Sequence, residues 1–371
     1  MRVGIPTEIK NNEYRVAITP AGVSELVRRG HDVVVQAGAG EGSAIHDADF
    51  KAAGAQIVNG ADQVWAEAEL LLKVKEPIEP EYSRMRKGQT LFTYLHLAAS
   101  RPCTDALLKS GTTSIAYETV QTADGALPLL APMSEVAGRL SAQVGAYHLM
   151  RTQGGRGVLM GGVPGVAPAK VVVIGGGMAG DNAAAVAWGM GAHVTVFDLN
   201  VNILRKIDAE YGGAIETRYS SRLDLEDAVK QADLVIGAVL VPGAKAPKLV
   251  TNETVAQMKP GAVLVDIAID QGGCFEDSRP TTHDDPTFKV HEAVFYCVAN
   301  MPGAVPRTST YALTNATMPY VLKLADKGWQ GACFSDPALA KGLSTHQGEL
   351  LNAEVAHDLD LPYTDPASLL A

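Results

Sequence analysis

Residues 171–198 combine a buried apolar run, a glycine-rich turn and a terminal acidic residue. The four residues before Gly175 are all β-branched, as a buried parallel strand favours, and Gly175, Gly177 and Gly180 follow with the spacing G-x-G-x-x-G. Glycine at these positions permits a tight turn, lets a phosphate approach the backbone, and lets the next helix lie close to the sheet. The sequence therefore predicts a strand, a turn and a helix N-terminus that bind the diphosphate of a dinucleotide.

The acidic residue at the end of the second strand, Asp198, indicates which dinucleotide is bound. It lies 23 residues after Gly175, near the separation of about 20 expected for a carboxylate that binds the adenosine ribose hydroxyls. A carboxylate at that position repels a 2′-phosphate, and the next arginine is Arg205. We therefore expect NAD rather than NADP.

Length and composition narrow the class of protein. A chain of 371 residues exceeds what one hydrophobic core usually supports, and 47% hydrophobic with 19% charged residues is typical of a globular protein. The net charge of −10 argues against nucleic acid or an anionic membrane as a partner. The four cysteines are far apart, so we expect no zinc site, no other metal site and no disulfide framework. With no signal peptide and no apolar run of membrane-spanning length, we expect a cytoplasmic location.

Short apolar runs alternate with helical segments along most of the chain, which predicts an α/β fold of two doubly wound parallel-sheet domains. We expect a substrate domain of residues 1–130 and 307–371, and a Rossmann NAD-binding domain of residues 131–306. A helix over residues 311–327 is expected to kink at Pro319 and to return to the first domain. We expect the tail from residue 338 to be surface helix and loop. The predicted strands are residues 2–6, 31–36, 70–74, 90–95, 113–117, 171–174, 193–198, 233–239 and 262–270.

Several further motifs resemble one family along essentially the whole chain. The motifs that carry the resemblance are Gly4-Ile5-Pro6-x-Glu8, Asn12-Glu13-x-Arg15-Val16-Ala17-x-Thr19-Pro20, Lys73-Val74-Lys75-Glu76-Pro77, Tyr94-Leu95-His96, the Gly161–Asp198 region and Val265-Asp266-Ile267-Ala268-Ile269-Asp270-Gln271-Gly272-Gly273. On these motifs, the chain resembles the family that unites alanine dehydrogenase with the α subunit of the proton-translocating nicotinamide nucleotide transhydrogenase.

Two positions separate the members of this family. Asp270 stands before Gln-Gly-Gly, as in the dehydrogenase, whereas the transhydrogenase subunit tends to have Ala-Glu there. His96 also resembles the residue at this place in the dehydrogenase.

The resemblance implies reversible, NAD-dependent oxidative deamination of L-alanine to pyruvate and ammonium, with hydride transfer from Cα to nicotinamide C4. The alternatives are a soluble NAD(H)-binding subunit of a transhydrogenase and an NAD-sensing module without catalysis. Lysine and saccharopine dehydrogenases share part of this architecture, and their bulkier substrates would need a roomier pocket.

The resemblance also assigns roles to four residues. Arg15 is expected to bind the substrate carboxylate with its planar fork, and Lys75 to add a second positive charge. His96 is the expected proton carrier, because an imidazole titrates near working pH, and Asp270 is expected to orient that base or bind the substrate ammonium. Judged without the family motif, Arg15 would be a surface residue, His96 a core histidine and Asp270 a helix N-cap.

The remaining implied contacts are to NAD, and the family further implies a homohexamer. The implied NAD-binding residues are Ser134, Gly175, Gly177, Met178, Gly180, Asp198, Ser220, Val239, Leu240, Ile267, Asp270, Arg279, Val298, Asn300 and Met301.

Overall fold

A computed structural model describes residues 1–239 and 246–370 and divides the chain into two compact units. Unit 1 comprises Met1–Met133 and Val305–Ala371, and unit 2 comprises Ser134–Ala304. Each unit contains one mostly parallel sheet with helices in the connections between its strands. The two mostly parallel sheets confirm the predicted α/β class.

The strands are short, and most lie between two helices along the chain. The strands are β1 (Arg2–Ile5), β2 (Asp32–Gln36), β3 (Gln56–Val58), β4 (Leu70–Leu72), β5 (Thr90–Thr93), β6 (Thr113–Ala116), β7 (Lys170–Ile174), β8 (His193–Asp198), β9 (Glu216–Tyr219), β10 (Leu234–Gly237), β11 (Val263–Asp266), β12 (Thr287–Val290), β13 (Ala293–Tyr296), β14 (Leu343–His346) and β15 (Glu349–Leu350). The α-helices are α1 (Pro20–Arg28), α2 (Asp47–Ala52), α3 (Ala61–Glu67), α4 (Arg101–Ser110), α5 (Ala131–His148), α6 (Met178–Gly189), α7 (Val201–Tyr211), α8 (Arg222–Gln231), α9 (Asn252–Ala256), α10 (Pro306–Ser335), α11 (Pro337–Ala340), α12 (Ala353–Leu359) and α13 (Ala367–Leu370).

The sheet of unit 1 has the strand order β15-β14-β6-β5-β4-β1-β2-β3 in the described residues. The strands from β6 to β3 are parallel, so their carboxyl ends meet at one edge. The chain runs from β1 to β2 on one side and from β3 back to β4 on the other, so the order reverses between β1 and β4. Loops that diverge at such a reversal leave a crevice in which ligands bind.

The sheet of unit 2 has the order β12-β13-β11-β10-β7-β8-β9 in the described part of the chain. All neighbours are parallel except β12, which pairs antiparallel with β13. The order reverses between β7 and β10, as in a Rossmann domain. Apolar residues of this sheet, among them Val172, Val235 and Phe295, form a buried cluster against the helices.

The expectation that the tail from residue 338 is only surface helix and loop is wrong. The tail contains β14 and β15, which extend the sheet of unit 1 antiparallel to β6, and Leu343 and Thr345 of β14 are buried. Strands this short show too few residues to reveal a period of two.

The helix α10 contains Pro319, and its backbone leaves helical angles at Gly328 (φ 68°, ψ 169°), a break that the sequence did not predict. Glycine adopts positive φ easily, so the break falls on this residue.

Within residues 1–239 and 246–370, no helix has both the length and the apolar character needed to cross a bilayer.

Candidate active site

The candidate substrate-binding residues of unit 1 lie in loops at the carboxyl edge of its sheet. Arg15 lies in the loop after β1, Lys75 follows β4, and His96 follows β5. β1 and β4 are the two strands at which the strand order reverses, so the loops of Arg15 and Lys75 both begin at the predicted crevice. Arg15 is ten residues beyond the end of β1.

Arg15 is buried, with 2% of its surface exposed, and its fork is bound by a neighbouring carboxylate. Its Nε donates to Oε1 of Glu13 at 2.6 Å, and its Nη2 donates to Oε2 of Glu13 at 2.6 Å. Its Nη1 lies 3.0 Å from Sδ of Met133. Burial opposes ionisation of Glu13, but the hydrogen bonds and charge of Arg15 outweigh it and lower the pKa of this carboxyl. Glu13 therefore orients the guanidinium, a role that its place in the sequence did not indicate.

The ring of Tyr94 lies beside both of the other candidate residues, Lys75 and His96. The Nζ atom of Lys75 lies 5.9 Å from the centroid of the Tyr94 ring, and the ring of His96 stacks on the same tyrosine at 5.9 Å with an interplanar angle of 11°. The Tyr94 hydroxyl donates to the carbonyl of Leu129 at 2.5 Å, and Tyr94 is 3% exposed. Lys75 also contributes to the lowered pKa of Glu13. Lys75 and His96 thus share Tyr94 as a neighbour, and the charge of Lys75 acts on the carboxylate that binds Arg15.

His96 is exposed, unlike the core histidine that its apolar neighbours alone would favour. Its backbone is left-handed, with φ 46° and ψ 44°, a region that residues other than glycine seldom adopt. Its backbone N–H donates to Oε1 of Glu118 at 2.6 Å. The side chain of the candidate proton carrier therefore projects from a constrained backbone.

A buried ionic cluster supports the start of the loop that carries Lys75. The Nζ atom of Lys73 lies 2.9 Å from Oε2 of Glu8 and 2.9 Å from Oε1 of Glu81. Burial raises the pKa of Glu8 despite the opposing charge of Lys73. Glu8 also accepts the N–H of Val74 at 2.6 Å. Breaking this cluster would leave charge buried without a partner, so we regard it as a support for the loop.

In unit 2, the glycine turn after β7 has the geometry expected of a diphosphate site. Gly175 has φ 93°, and a Cβ atom at Gly180 would lie 1.7 Å from the carbonyl oxygen of Gly175. A Cβ atom at Gly177 would meet no described atom within 4 Å. Gly177 is also the N-cap of α6 and provides no side chain to cap it. The helix N-terminus thus presents its backbone N–H groups beside open space, which fits an anionic ligand.

Asp198 lies at the end of β8, next to this turn. One carboxylate oxygen accepts the N–H of Gly176 at 2.7 Å, and the other accepts the N–H of Asn200 at 2.7 Å. The same side chain that we expect to bind ribose hydroxyls therefore also fixes the glycine turn, a second role that the sequence did not indicate.

Most of the other NAD-binding candidates follow the carboxyl ends of parallel strands. Ser220 follows β9, Val239 follows β10, Ile267 follows β11, and Val298, Asn300 and Met301 follow β13. Met178 begins α6 and is exposed. Ser134 lies instead within α5, and the Arg279 guanidinium lies over the Phe288 ring at 4.1 Å from its centroid. Leu240 is outside the described residues.

Asp270 does not end a strand, contrary to the prediction. β11 stops at Asp266, and Ile267–Gln271 form a 3-10 helix in which Asp270 is exposed. The buried carboxylate of Asp266 causes this change, because one oxygen accepts the N–H of Ala268 at 3.1 Å and the other accepts the N–H of Cys274 at 2.8 Å. Asp270 therefore lies on a short loop after β11 that Asp266 anchors.

In the part of the chain that the structure describes, no group of three or more His, Cys, Asp and Glu side chains is arranged to hold a metal ion.

Comparison with known proteins identifies the family. The model of the alanine dehydrogenase/PNT N-terminal domain matches residues 4–137, and the model of the corresponding C-terminal domain matches residues 141–353. The chain therefore belongs to the alanine dehydrogenase/PNT family. The C-terminal domain model covers every strand of the unit 2 sheet and continues into the part of unit 1 that begins at Val305.

Individual relatives place the chain within this family. It is 85% identical over 371 residues to an alanine dehydrogenase of Mycolicibacterium smegmatis and 79% identical over 371 residues to one of Mycobacterium tuberculosis, with 100% of each chain covered. A solved L-alanine dehydrogenase matches with a TM-score of 0.94 and 51% identity, covering 97% of this chain and 99% of its own. A transhydrogenase of Sinorhizobium meliloti matches less closely, with a TM-score of 0.82 and 27% identity over 94% of this chain and 100% of its own.

Proposed function

We propose that Arg15, Lys75, His96 and Asp270 carry out the NAD-dependent oxidative deamination of L-alanine in this chain. The products are pyruvate and ammonium, and the reverse reaction is the reductive amination of pyruvate. The activity rests on one observation above all, the 85% and 79% identity to full-length alanine dehydrogenases. In this proposal unit 1 binds the substrate and unit 2 binds NAD.

Arg15 and Lys75 bind the substrate carboxylate. Glu13 already holds two edges of the Arg15 guanidinium, so the side chain is oriented before substrate arrives and loses little freedom on binding. Lys75 contributes a second, compact positive charge, which lies over the Tyr94 ring. The carboxylate of the zwitterionic amino acid is thereby bound by two positive side chains whose positions are already fixed.

His96 handles the protons of the reaction. The substrate ammonium first gives up a proton to the imidazole, which passes it to solvent, and the α-hydrogen then leaves as hydride. The substrate is now an iminium ion, and water must add to its carbon. The imidazole takes a proton from that water as the C–O bond forms, and Asp270 assists by stabilising the positive charge that the base or the substrate nitrogen carries. The resulting carbinolamine collapses, its C–N bond breaks, and a proton passes to the leaving ammonia.

NAD, when bound, supplies the acceptor for the α-hydrogen of the substrate as hydride. The residues present fit this cofactor, since the side-chain-free turn at Gly177 accommodates a diphosphate and Asp198 provides a carboxylate at the end of β8. The same carboxylate disfavours NADP by repelling its 2′-phosphate.

Gly177→Ala is expected to weaken NADH binding about 10–100-fold, because overpacking at a contact costs about 1–3 kcal/mol. The thermal unfolding temperature without cofactor should stay unchanged, because the added methyl group meets no described atom within 4 Å. Fluorescence titration and thermal unfolding measure the two quantities.

Two glycines on the same helix serve as controls. Gly180→Ala should lower the unfolding temperature even without cofactor, because its Cβ would lie 1.7 Å from a backbone oxygen. Gly189→Ala, at the far end of α6, also meets open space and should leave the affinity for NADH unchanged. Its unfolding temperature should stay the same or rise slightly, because alanine favours the helix more than glycine does. Equal NADH affinity in Gly177→Ala and Gly189→Ala would contradict the proposed diphosphate site.

The activity is tested by following NADH absorbance with the purified chain, NAD and L-alanine. Parallel reactions contain glycine, L-serine or L-lysine in place of L-alanine, or NADP in place of NAD. We expect NADH formation from L-alanine, and far slower reduction of NADP. Tight NAD binding without turnover of any amino acid would overturn the proposal and favour a transhydrogenase subunit.

Two further proposals follow from the family resemblance, namely a homohexamer and a cytoplasmic location. Light scattering of the purified chain should give six times the mass of one chain, and fractionation of the source cells should recover the enzyme with cytoplasmic markers. A monomer, or recovery with membranes, would contradict them.

A further inference from the structure

The backbone of His96 is held in a conformation that is unfavourable for a residue with a side chain. At φ 46° and ψ 44°, its Cβ atom approaches the following carbonyl, which costs about 1–2 kcal/mol. Such a conformation persists only where surrounding contacts stabilise it. His96 therefore requires a specific partner in the fold.

Glu118 is that partner. One carboxylate oxygen accepts the His96 N–H at 2.6 Å, and both oxygens lie 3.2 Å from the Leu95 nitrogen. The two residues become neighbours because β5 and β6 are parallel and pair Thr93 with Ala116, so the chain segments just beyond both strands meet at one edge. Hydrogen bonds to a carboxylate are about twice as strong as neutral ones, which suits them to hold a strained turn.

The ring of His96 is restrained from its other side. It stacks nearly parallel on Tyr94, at an interplanar angle of 11°, and the Tyr94 ring meets the edge of Tyr117 at 5.1 Å. Tyr117 directly precedes Glu118 in the 3-10 helix Tyr117–Thr119. The turn after β6 thus contacts both the backbone of His96 and the aromatic ring on which its imidazole rests.

We propose that Glu118 is a positioning residue for the proton carrier. By accepting the N–H groups of Leu95 and His96, it fixes the left-handed turn and so places the imidazole for proton transfer. Its hydrogen bonds go to the backbone, so Glu118 carries no proton in the reaction. This inference rests on the role proposed above for His96.

Glu118→Ala should lower kcat for L-alanine oxidation about 10–100-fold, because a small displacement of a catalytic group costs up to about 10²-fold. KM for L-alanine and the affinity for NADH should change little. The solvent deuterium isotope effect on kcat should rise, because the misplaced base slows proton transfer. Glu118→Gln retains a carbonyl oxygen that can accept an N–H and should recover most of the rate.

A double-mutant cycle separates positioning from general stability. In the His96→Ala background, Glu118→Ala should cause no further loss of kcat, because the group that it positions is gone. An equal fractional loss in both backgrounds would overturn the inference, as would a wild-type kcat in Glu118→Ala. Glu25→Ala, which removes a helix glutamate that pairs with Arg28, is the matched control and should leave kcat unchanged.

Thermal unfolding of every variant confirms that it is folded, and Glu118→Gln replaces Glu118→Ala in the cycle if the alanine variant does not fold.

The inference about Glu118 and the proposed function fail in different ways. Loss of the proposed function would appear as no L-alanine turnover in the wild-type chain, whereas failure of the inference leaves wild-type turnover and the His96→Ala defect intact.

Discussion

His96→Ala is expected to lower kcat for L-alanine oxidation by about 10²–10⁴-fold, the range typical of removing a general acid–base group. The affinity for NADH should stay near that of the wild type, since His96 lies in unit 1 and the dinucleotide motif lies in unit 2. The free energy of unfolding should fall only slightly, because His96 is exposed and alanine loses only the stacking contact with Tyr94. Steady-state kinetics and NADH titration measure the two effects.

The matched control is His357→Ala, which changes an exposed histidine in α12 of the same unit. It should leave kcat unchanged. If both variants retained wild-type kcat, His96 would not be the proton carrier, and the stacked geometry on Tyr94 would be structural only.

Arg15→Lys is expected to raise KM for L-alanine about 10–100-fold. Lysine keeps the charge but cannot make two parallel hydrogen bonds, and a hydrogen bond to a charged group contributes about 1.5–3 kcal/mol. The free energy of unfolding should also fall, because Glu13 would lose one of the two bonds that satisfy its buried carboxylate. Substrate-dependence of the rate and chemical denaturation test these two expectations.

Arg28→Lys provides the comparison, because Arg28 also pairs with a glutamate but its side chain is 72% exposed. Exposed ion pairs contribute about 0–1 kcal/mol, so neither KM nor stability should change measurably. A large loss of stability in Arg15→Lys with an unchanged KM would mean that Arg15 only supports the fold and does not bind the substrate carboxylate.

The sequence predicts well those strands, turns and helices that depend on residues close together in the chain. Alternation of apolar runs and helical segments predicted two parallel sheets, and the glycine spacing after residue 174 predicted the strand, turn and helix in order. In the apolar segment after Val265, the same reasoning extended β11 to Asp270. The strand ends at Asp266 because its buried carboxylate binds the backbone N–H groups that follow, which the apolar pattern could not show.

The supporting residues of the candidate site were not predicted, because they are set by strand pairing. Glu118 is 22 residues from His96 in the sequence and meets it only because β5 and β6 are neighbours. Glu8 likewise reaches Lys73 across β1 and β4. Tyr94 lay within a motif, but its place between Lys75 and His96 required the ring geometry.

The central claim is that the chain moves the α-hydrogen of L-alanine to NAD as hydride. The most direct measurement is to supply L-alanine deuterated at Cα with NAD and to analyse the NADH formed by mass spectrometry. We predict that essentially every NADH carries one deuterium from the substrate. Absence of reduced cofactor, or NADH without deuterium, would contradict this claim, and hydride exchange between nucleotides alone would identify a transhydrogenase instead.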